Sequence, residues 1–120
     1  DVEVDATSDC DGPGNAVAVE VACGRVTEVF TGFGRKGLPG ETVAADVAAE
    51  ARAWIDADVP VGPHLADQLL LPMALAGGGS FRTVEPTAHT RTHAEVVSAF
   101  LPVEVEFDDL GDGSWRVSVR

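Results

Sequence analysis

The sequence contains three histidines, His64, His89 and His93. His89 stands in Thr87-Ala88-His89-Thr90-Arg91-Thr92, a stretch dense in hydroxyls with one arginine, just ahead of an expected helix start. Helix N-termini bind phosphate and disfavour a protonated imidazole. A neutral imidazole is what a nucleophile toward phosphorus requires. His64 and Asp67 lie three apart, on one face of an expected helix, where they can act together. A zinc pair there lacks an evident third ligand, so no metal site is assigned. His93 falls in the expected first turn of a polar-faced helix and reads as a solvated surface group.

Two glycine-rich stretches invite a nucleotide reading. Gly32-Phe33-Gly34-Arg35-Lys36-Gly37 follows a strand-like run, but Pro39 and Gly40 intervene before the next helix, and no parallel strand follows at the right distance. A turn with two exposed basic residues is the better expectation. Gly77-Gly78-Gly79-Ser80 lacks the lysine of a phosphate-binding loop and follows a helix instead of opening one, so it reads as a helix stop.

These residues need elements to hold them. Val17, Val19 and Val21 alternate with Ala16, Ala18 and Glu20, and with residues 25–31 they predict a hairpin turning at Ala22-Cys23-Gly24. Residues 41–57 predict a helix with Val43, Val47, Trp54 and Ile55, plus Ala44, Ala48 and Ala51, on the buried face. A boundary is expected near residues 58–62. Pro63 suits the first position of a second helix, with Leu65, Leu69, Met73 and Ala76 on one stripe and Pro72 interrupting it. A strand over residues 80–84 follows. Thr92-His93-Ala94-Glu95 has the capping-box pattern and predicts a third helix carrying Val96, Val97, Phe100 and Leu101. Val103, Val105 and Phe107, then Trp115, Val117 and Val119, alternate as two last strands. With a strand near residues 59–61, the second half becomes β-α-β-α-β-β, an α+β layer with helices on one face of a small sheet.

Composition sets limits. Twenty acidic residues face eight basic ones, seven of them arginine, with Lys36 the sole lysine and a net charge of −12. Such a surface repels nucleic acid. It resembles the surfaces of halophile proteins and raises the expectation of an origin in a halophilic archaeon. No apolar run approaches the ~20 residues that span a bilayer, so no membrane association is expected. The acidic start, without an initiator methionine, lacks the features of a secretory leader and suggests a fragment. Cys10 and Cys23 read as small half-buried residues in a reducing cytosol rather than a disulfide.

The long run Gly62-Pro63-His64-Leu65-Ala66-Asp67-Gln68-Leu69-Leu70-Leu71-Pro72-Met73-Ala74-Leu75-Ala76-Gly77-Gly78-Gly79-Ser80-Phe81 closely resembles the RNA 3'-terminal phosphate cyclase family. So do Thr87-Ala88-His89-Thr90, Glu95-Val96-Val97, Phe100-Leu101-Pro102-Val103, and upstream Gly12-Pro13-Gly14-Asn15 and Thr27-Glu28-Val29-Phe30-Thr31-Gly32-Phe33-Gly34. The resemblance implies an enzyme of the cytoplasm that uses ATP to close RNA 3'-phosphate ends into 2',3'-cyclic phosphates. His89 corresponds to the residue that carries AMP. His64, Leu65, Ala66, Asp67 and Gln68 correspond to a segment that contacts ATP, with Mg²⁺ or Mn²⁺ assisting. Residues 1–60 would be the end of a smaller inserted α/β domain, and residues 61–120 most of the third β-α-β-α-β-β repeat. Pro63 stands where many members carry an acidic residue. The family's N-terminal half, which supplies further ATP- and RNA-site residues, lies outside this sequence, so the isolated chain is expected to be inactive. The alternatives are a non-catalytic cyclase-like protein of ribosomal RNA processing, against which His89 speaks, and a relative of the enolpyruvyl transferases, which lack both histidine-bearing blocks.

Overall fold

A computed structural model of the chain describes residues 2–6, 9, 11–24 and 26–120. The valine alternation forms β1 (Ala16–Cys23), which pairs antiparallel with β2 (Val26–Phe33) in the register Ala16↔Phe33 to Cys23↔Val26. Helix α1 (Gly40–Ala57) packs on this hairpin with Val43, Val47, Ala51 and Trp54 buried. That 4-4-3 spacing is one face of a 3.6-residue helix. Ile55 was expected on this face but is exposed, as is Ala44. Phe30 of β2 meets Trp54 with ring centroids 5.9 Å apart.

Gly32 decides how close the helix comes. A Cβ there would stand 2.5 Å from Val47 Cγ2 and 2.9 Å from Val43 Cγ1. The glycine-rich stretch therefore serves helix–strand packing. Its strand belongs to an antiparallel hairpin, which confirms the turn reading over a dinucleotide loop.

The second half holds α2 (Pro63–Leu75), β3 (Gly79–Thr83), α3 (Ala88–Phe100), β4 (Val105–Asp109) and β5 (Trp115–Val119). The sheet is antiparallel in the order β3-β5-β4. The strand expected near residues 59–61 is reduced to one parallel bridge, Val61↔Thr83. The architecture is a mixed α+β one, with helices laid on small antiparallel sheets.

Three expectations shift. The buried stripe of α2 is Ala66, Leu70 and Ala74, not Leu65, Leu69 and Ala76, although Met73 does pack against the core. Helix α3 starts at Ala88, a full turn before the expected cap at Thr92. Its N-cap is Thr87, whose Oγ1 accepts the Thr90 N–H at 3.1 Å, and the Thr87 and Thr90 hydroxyls bond at 2.9 Å. Phe100, expected on the apolar face, is exposed. The stop after α2 is as expected: Gly77, Gly78 and Gly79 all have positive φ, and at Gly78 a Cβ would meet the Val119 carbonyl oxygen at 2.6 Å.

Two clusters form the interior. Leu70, Ala74, Ala94, Val97, Val117 and Val119 make one, with Met73, Phe81 and Phe107 packed on it. Phe30, Val47, Ala51, Trp54 and Val59 make the other, joined by Val84 from beyond β3. Cys23 is free and exposed, not half-buried; Cys10 lies outside the described residues.

Candidate active site

The earlier start of α3 changes what its first turn can do. The first N–H groups of a helix lack intrahelical acceptors. Thr87 Oγ1 takes that of Thr90 and the Thr87 carbonyl that of Arg91. Those of Ala88 and His89 are left without an intrahelical acceptor, at the positive end of the helix dipole. His89 is thus a first-turn residue, and His93 follows four residues later on the same face.

Helix α2 packs against α3 and brings Asp67 to that face. One carboxylate oxygen of Asp67 lies 3.3 Å from His89 Nε2. The other accepts from His93 Nδ1 at 2.9 Å. Side-chain exposure is 80% for His89, 28% for His93 and 21% for Asp67. The result is a graded site, in which an exposed imidazole stands beside a carboxylate that a second, sheltered imidazole grips. A carboxylate only accepts hydrogen bonds. When His89 donates from Nε2, its other ring nitrogen keeps the lone pair.

The remaining predicted residues distribute differently. His64 does not join Asp67 and His89. With Leu65 and Gln68 it lines a depression of about 420 Å³ against Thr27, Glu28, Val29 and Thr31 of β2. Ala66 is buried in the core, and its N–H bonds the Gly62 carbonyl at 2.9 Å. Its contribution is packing. Arg91, the arginine of the stretch around His89, turns to the other side of α3. Its guanidinium lies 5.1 Å from the ring centres of both Phe107 and Trp115.

Two residues escaped the sequence reading. His93 is one: with the helix start placed at Thr92, nothing aligned it with His89, whereas an i, i+4 pair on a helix beginning at Ala88 does. Glu28 is the other. It lies in β2 and is 3% exposed. Its carboxylate lies against Gly62 at the start of α2, where Gly62 has no side chain to cap the helix. Burial pushes the Glu28 carboxyl above its ordinary range, while the Gly62 N–H, the neighbouring His64 and the Leu65 N–H pull it back. Its Oε2 is buried without a hydrogen-bond partner.

Among the described residues, no group of three or more His, Cys, Asp or Glu side chains could hold a metal ion. In the cluster of imidazoles and carboxylate, both Asp67 oxygens face histidine nitrogens. No helix among the described residues is long and apolar enough to cross a membrane.

Comparison with known proteins matches residues 8–107 to the family described as RNA 3'-terminal phosphate cyclase. The chain is 43% identical over 109 residues to the RNA 3'-terminal phosphate cyclase of Ectopseudomonas mendocina, covering 91% of the chain and 32% of that protein. It is 50% identical over 101 residues to that of Pseudomonas fluorescens, covering 84% of the chain and 30% of that protein. It is 48% identical over 103 residues to that of Koribacter versatilis, covering 86% and 29%. The chain thus spans about a third of the length of these relatives. A match over 100 of 120 residues (107 − 7), with both histidine-bearing blocks inside it, places the chain in the RNA 3'-terminal phosphate cyclase family.

Proposed function

We propose that this chain is the nucleophile-bearing portion of a cytoplasmic enzyme that converts RNA 3'-phosphate ends to 2',3'-cyclic phosphates at the expense of ATP. His89 carries AMP, and residues 64–68 contact the nucleotide. Residues 1–60 and 61–120 are read as the end of an inserted domain and most of a third repeat. The observation that carries the reading is the Asp67 carboxylate at 3.3 Å from an otherwise exposed His89, in the first turn of α3.

In the first step a ring nitrogen of His89 attacks the α-phosphorus of ATP. An N–P bond forms, the P–O bond to pyrophosphate breaks, and pyrophosphate leaves. Asp67 holds the ring's proton on the nitrogen it touches and stabilises the positive charge that develops on the ring. The free N–H groups of Ala88 and His89 face the negative charge on phosphorus. In the second step an oxygen of the RNA 3'-phosphate takes AMP from His89. The N–P bond breaks and a phosphoanhydride forms. In the third, the adjacent 2'-hydroxyl attacks the activated 3'-phosphorus, loses its proton, and AMP departs as the ring closes.

The test is covalent labelling with ATP radioactive at the α-phosphate, in a full-length cyclase carrying this chain's residues. The parent retains acid-labile, alkali-stable AMP. His89→Ala and His89→Asn abolish capture while leaving ATP binding measurable, because affinity rests on residues 64–68 and on parts outside the chain. His64 and His93 do not substitute, since attack needs an in-line approach within about 3–3.5 Å. Undiminished labelling of His89→Ala assigns the nucleophile elsewhere. Absence of labelling in the parent favours a non-catalytic member.

A further inference from the structure

We propose that His93 is a positioning residue: it anchors the Asp67 carboxylate by one oxygen so that the other is presented to His89. The inference extends the assignment of His89 but stands on a geometry that assignment does not use. Asp67 has two imidazole neighbours, and the contacts are unequal. The bond to His93 Nδ1 is 2.9 Å long, between two sheltered groups, whereas the approach to His89 Nε2 is 3.3 Å and one partner is 80% exposed. The tight, sheltered bond sets where the carboxylate sits, and the loose one is its consequence. Asp67 rises from α2 while both histidines rise from α3, so the anchor also ties the two helices together at the site.

Chemistry fixes the proton in this bond. Asp67 accepts, so His93 donates from Nδ1. A neutral His93 must then be the Nδ1–H form, which a free histidine side chain populates less than the Nε2–H form. His89, when it meets Asp67, carries its proton on Nε2. One carboxylate thereby selects opposite tautomers in two rings four residues apart, and neither choice follows from exposure or bulk.

The experiment is nitrogen-15 NMR of the imidazole rings of the 120-residue chain, at a pH where the rings are neutral. Four proteins are compared: wild type, His93→Ala, His93→Asn and His93→Gln. In wild type, His93 is protonated at Nδ1, and His89 favours the Nε2–H form. In His93→Ala the ratio of His89 tautomers relaxes about threefold toward that of a free ring, the scale of an exposed charged contact. The backbone signals of α1 and β5 stay in place. The amide nitrogen of His93→Asn sits where Nδ1 sat and restores the bias. His93→Gln carries its amide one bond further out and does not.

An unchanged His89 ratio in folded His93→Ala overturns the proposal, as does equal restoration by Asn and Gln, which would make bulk the cause. If His93→Ala fails to fold, the wild-type spectrum still decides: a neutral His93 protonated only at Nε2 cannot donate to Asp67. The readout needs no AMP capture. A normal tautomer pattern with no labelling therefore sinks the assignment of His89 as nucleophile and leaves the role of His93 intact. In an active cyclase, the same anchor predicts slower AMP capture in His93→Ala and recovery in His93→Asn.

Discussion

Glu28 is the residue whose environment departs furthest from what its type prefers. Its carboxylate is buried against the start of α2, and its Oε2 has no hydrogen-bond partner. Burial raises its folded-state pKa above the ordinary 4.5, so the native state binds this proton more tightly than the unfolded chain does. The stability linked to Glu28 is therefore fully present below 4.5 and is lost as pH rises through the raised folded value. Glu28→Gln keeps the shape and removes the titration. The expected outcome is that wild type loses stability relative to Glu28→Gln as pH rises from mildly acid to neutral. Paired urea melts at several pH values check it, and a difference that stays constant with pH would show that the carboxyl is not buried in solution. Asp112 has the opposite sign. The Ser114 hydroxyl and N–H lower its pKa, with Arg82 adding to the effect. Its contribution is present above 3.8 and fades as pH falls through the lowered folded value, so acid titrations should be read on the difference between proteins rather than on one curve.

At the scale of elements, α2 tests which apolar stripe the fold selects. Leu70 is fully buried, whereas Leu75, on the same helix, is 70% exposed. Leu70→Ala should cost about 2–5 kcal/mol, and Leu75→Ala less than about 0.5 kcal/mol. Denaturant melts of the two variants check it, and equal losses would mean a rotated helix. Trp115→Ala should fall below the ~3–5 kcal/mol of a fully buried tryptophan, because Trp115 is half-buried under Arg91. The same elements show what the sequence could and could not disclose. The hairpin and α1 were legible because each carries a single apolar periodicity. Helix α2 was legible as a helix but not in its rotation. Leu65, Leu69, Leu70, Leu71, Met73 and Leu75 offer several stripes, and the choice belongs to Ala94 and Val97 of α3 and to Val117, which pack with Leu70 and the small Ala74. The start of α3 was misplaced because a capping-box pattern at Thr92 competed with Thr87, whose bond to Thr90 leaves no glutamate signature. That misplacement is also why His93 stayed invisible. The approach of Asp67 to His89, 22 residues on (89 − 67), crosses from one helix to another, and no local periodicity encodes it.

Over the whole molecule the governing fact is charge. Twenty carboxylates face eight basic side chains, an excess of twelve (20 − 8). The pairs Arg82 with Asp112 at 3.4 Å and Arg120 with Glu106 at 2.8 Å are partly or largely exposed. Exposed pairs of this kind contribute little, so the net charge of −12 is left to repel itself. The size of the molecule decides how far that repulsion reaches. Its extents are 47 × 32 × 26 Å. At 0.01 M salt the screening length is about 30 Å, comparable to those extents, and each carboxylate acts on nearly every other. At 1 M it is about 3 Å, shorter than the gap between most surface neighbours. Unfolding spreads the charges apart, so the repulsion penalises the compact state most when screening is weakest. The melting temperature should therefore rise from low to molar potassium chloride, steeply at first and then more gently as the screening length drops below the spacing of charges. The relatives named above are bacterial and do not bear on salt; the expectation rests on charge alone. A variant with several exposed acids of α1, such as Glu41, Asp46 and Glu50, replaced by glutamine or asparagine separates this cause from a general effect of salt on apolar burial. It should melt higher than wild type at low salt and converge with it at high salt. A flat salt curve for wild type, or a constant offset between the two proteins across the salt range, would remove charge as the cause and with it the likeness to halophile surfaces.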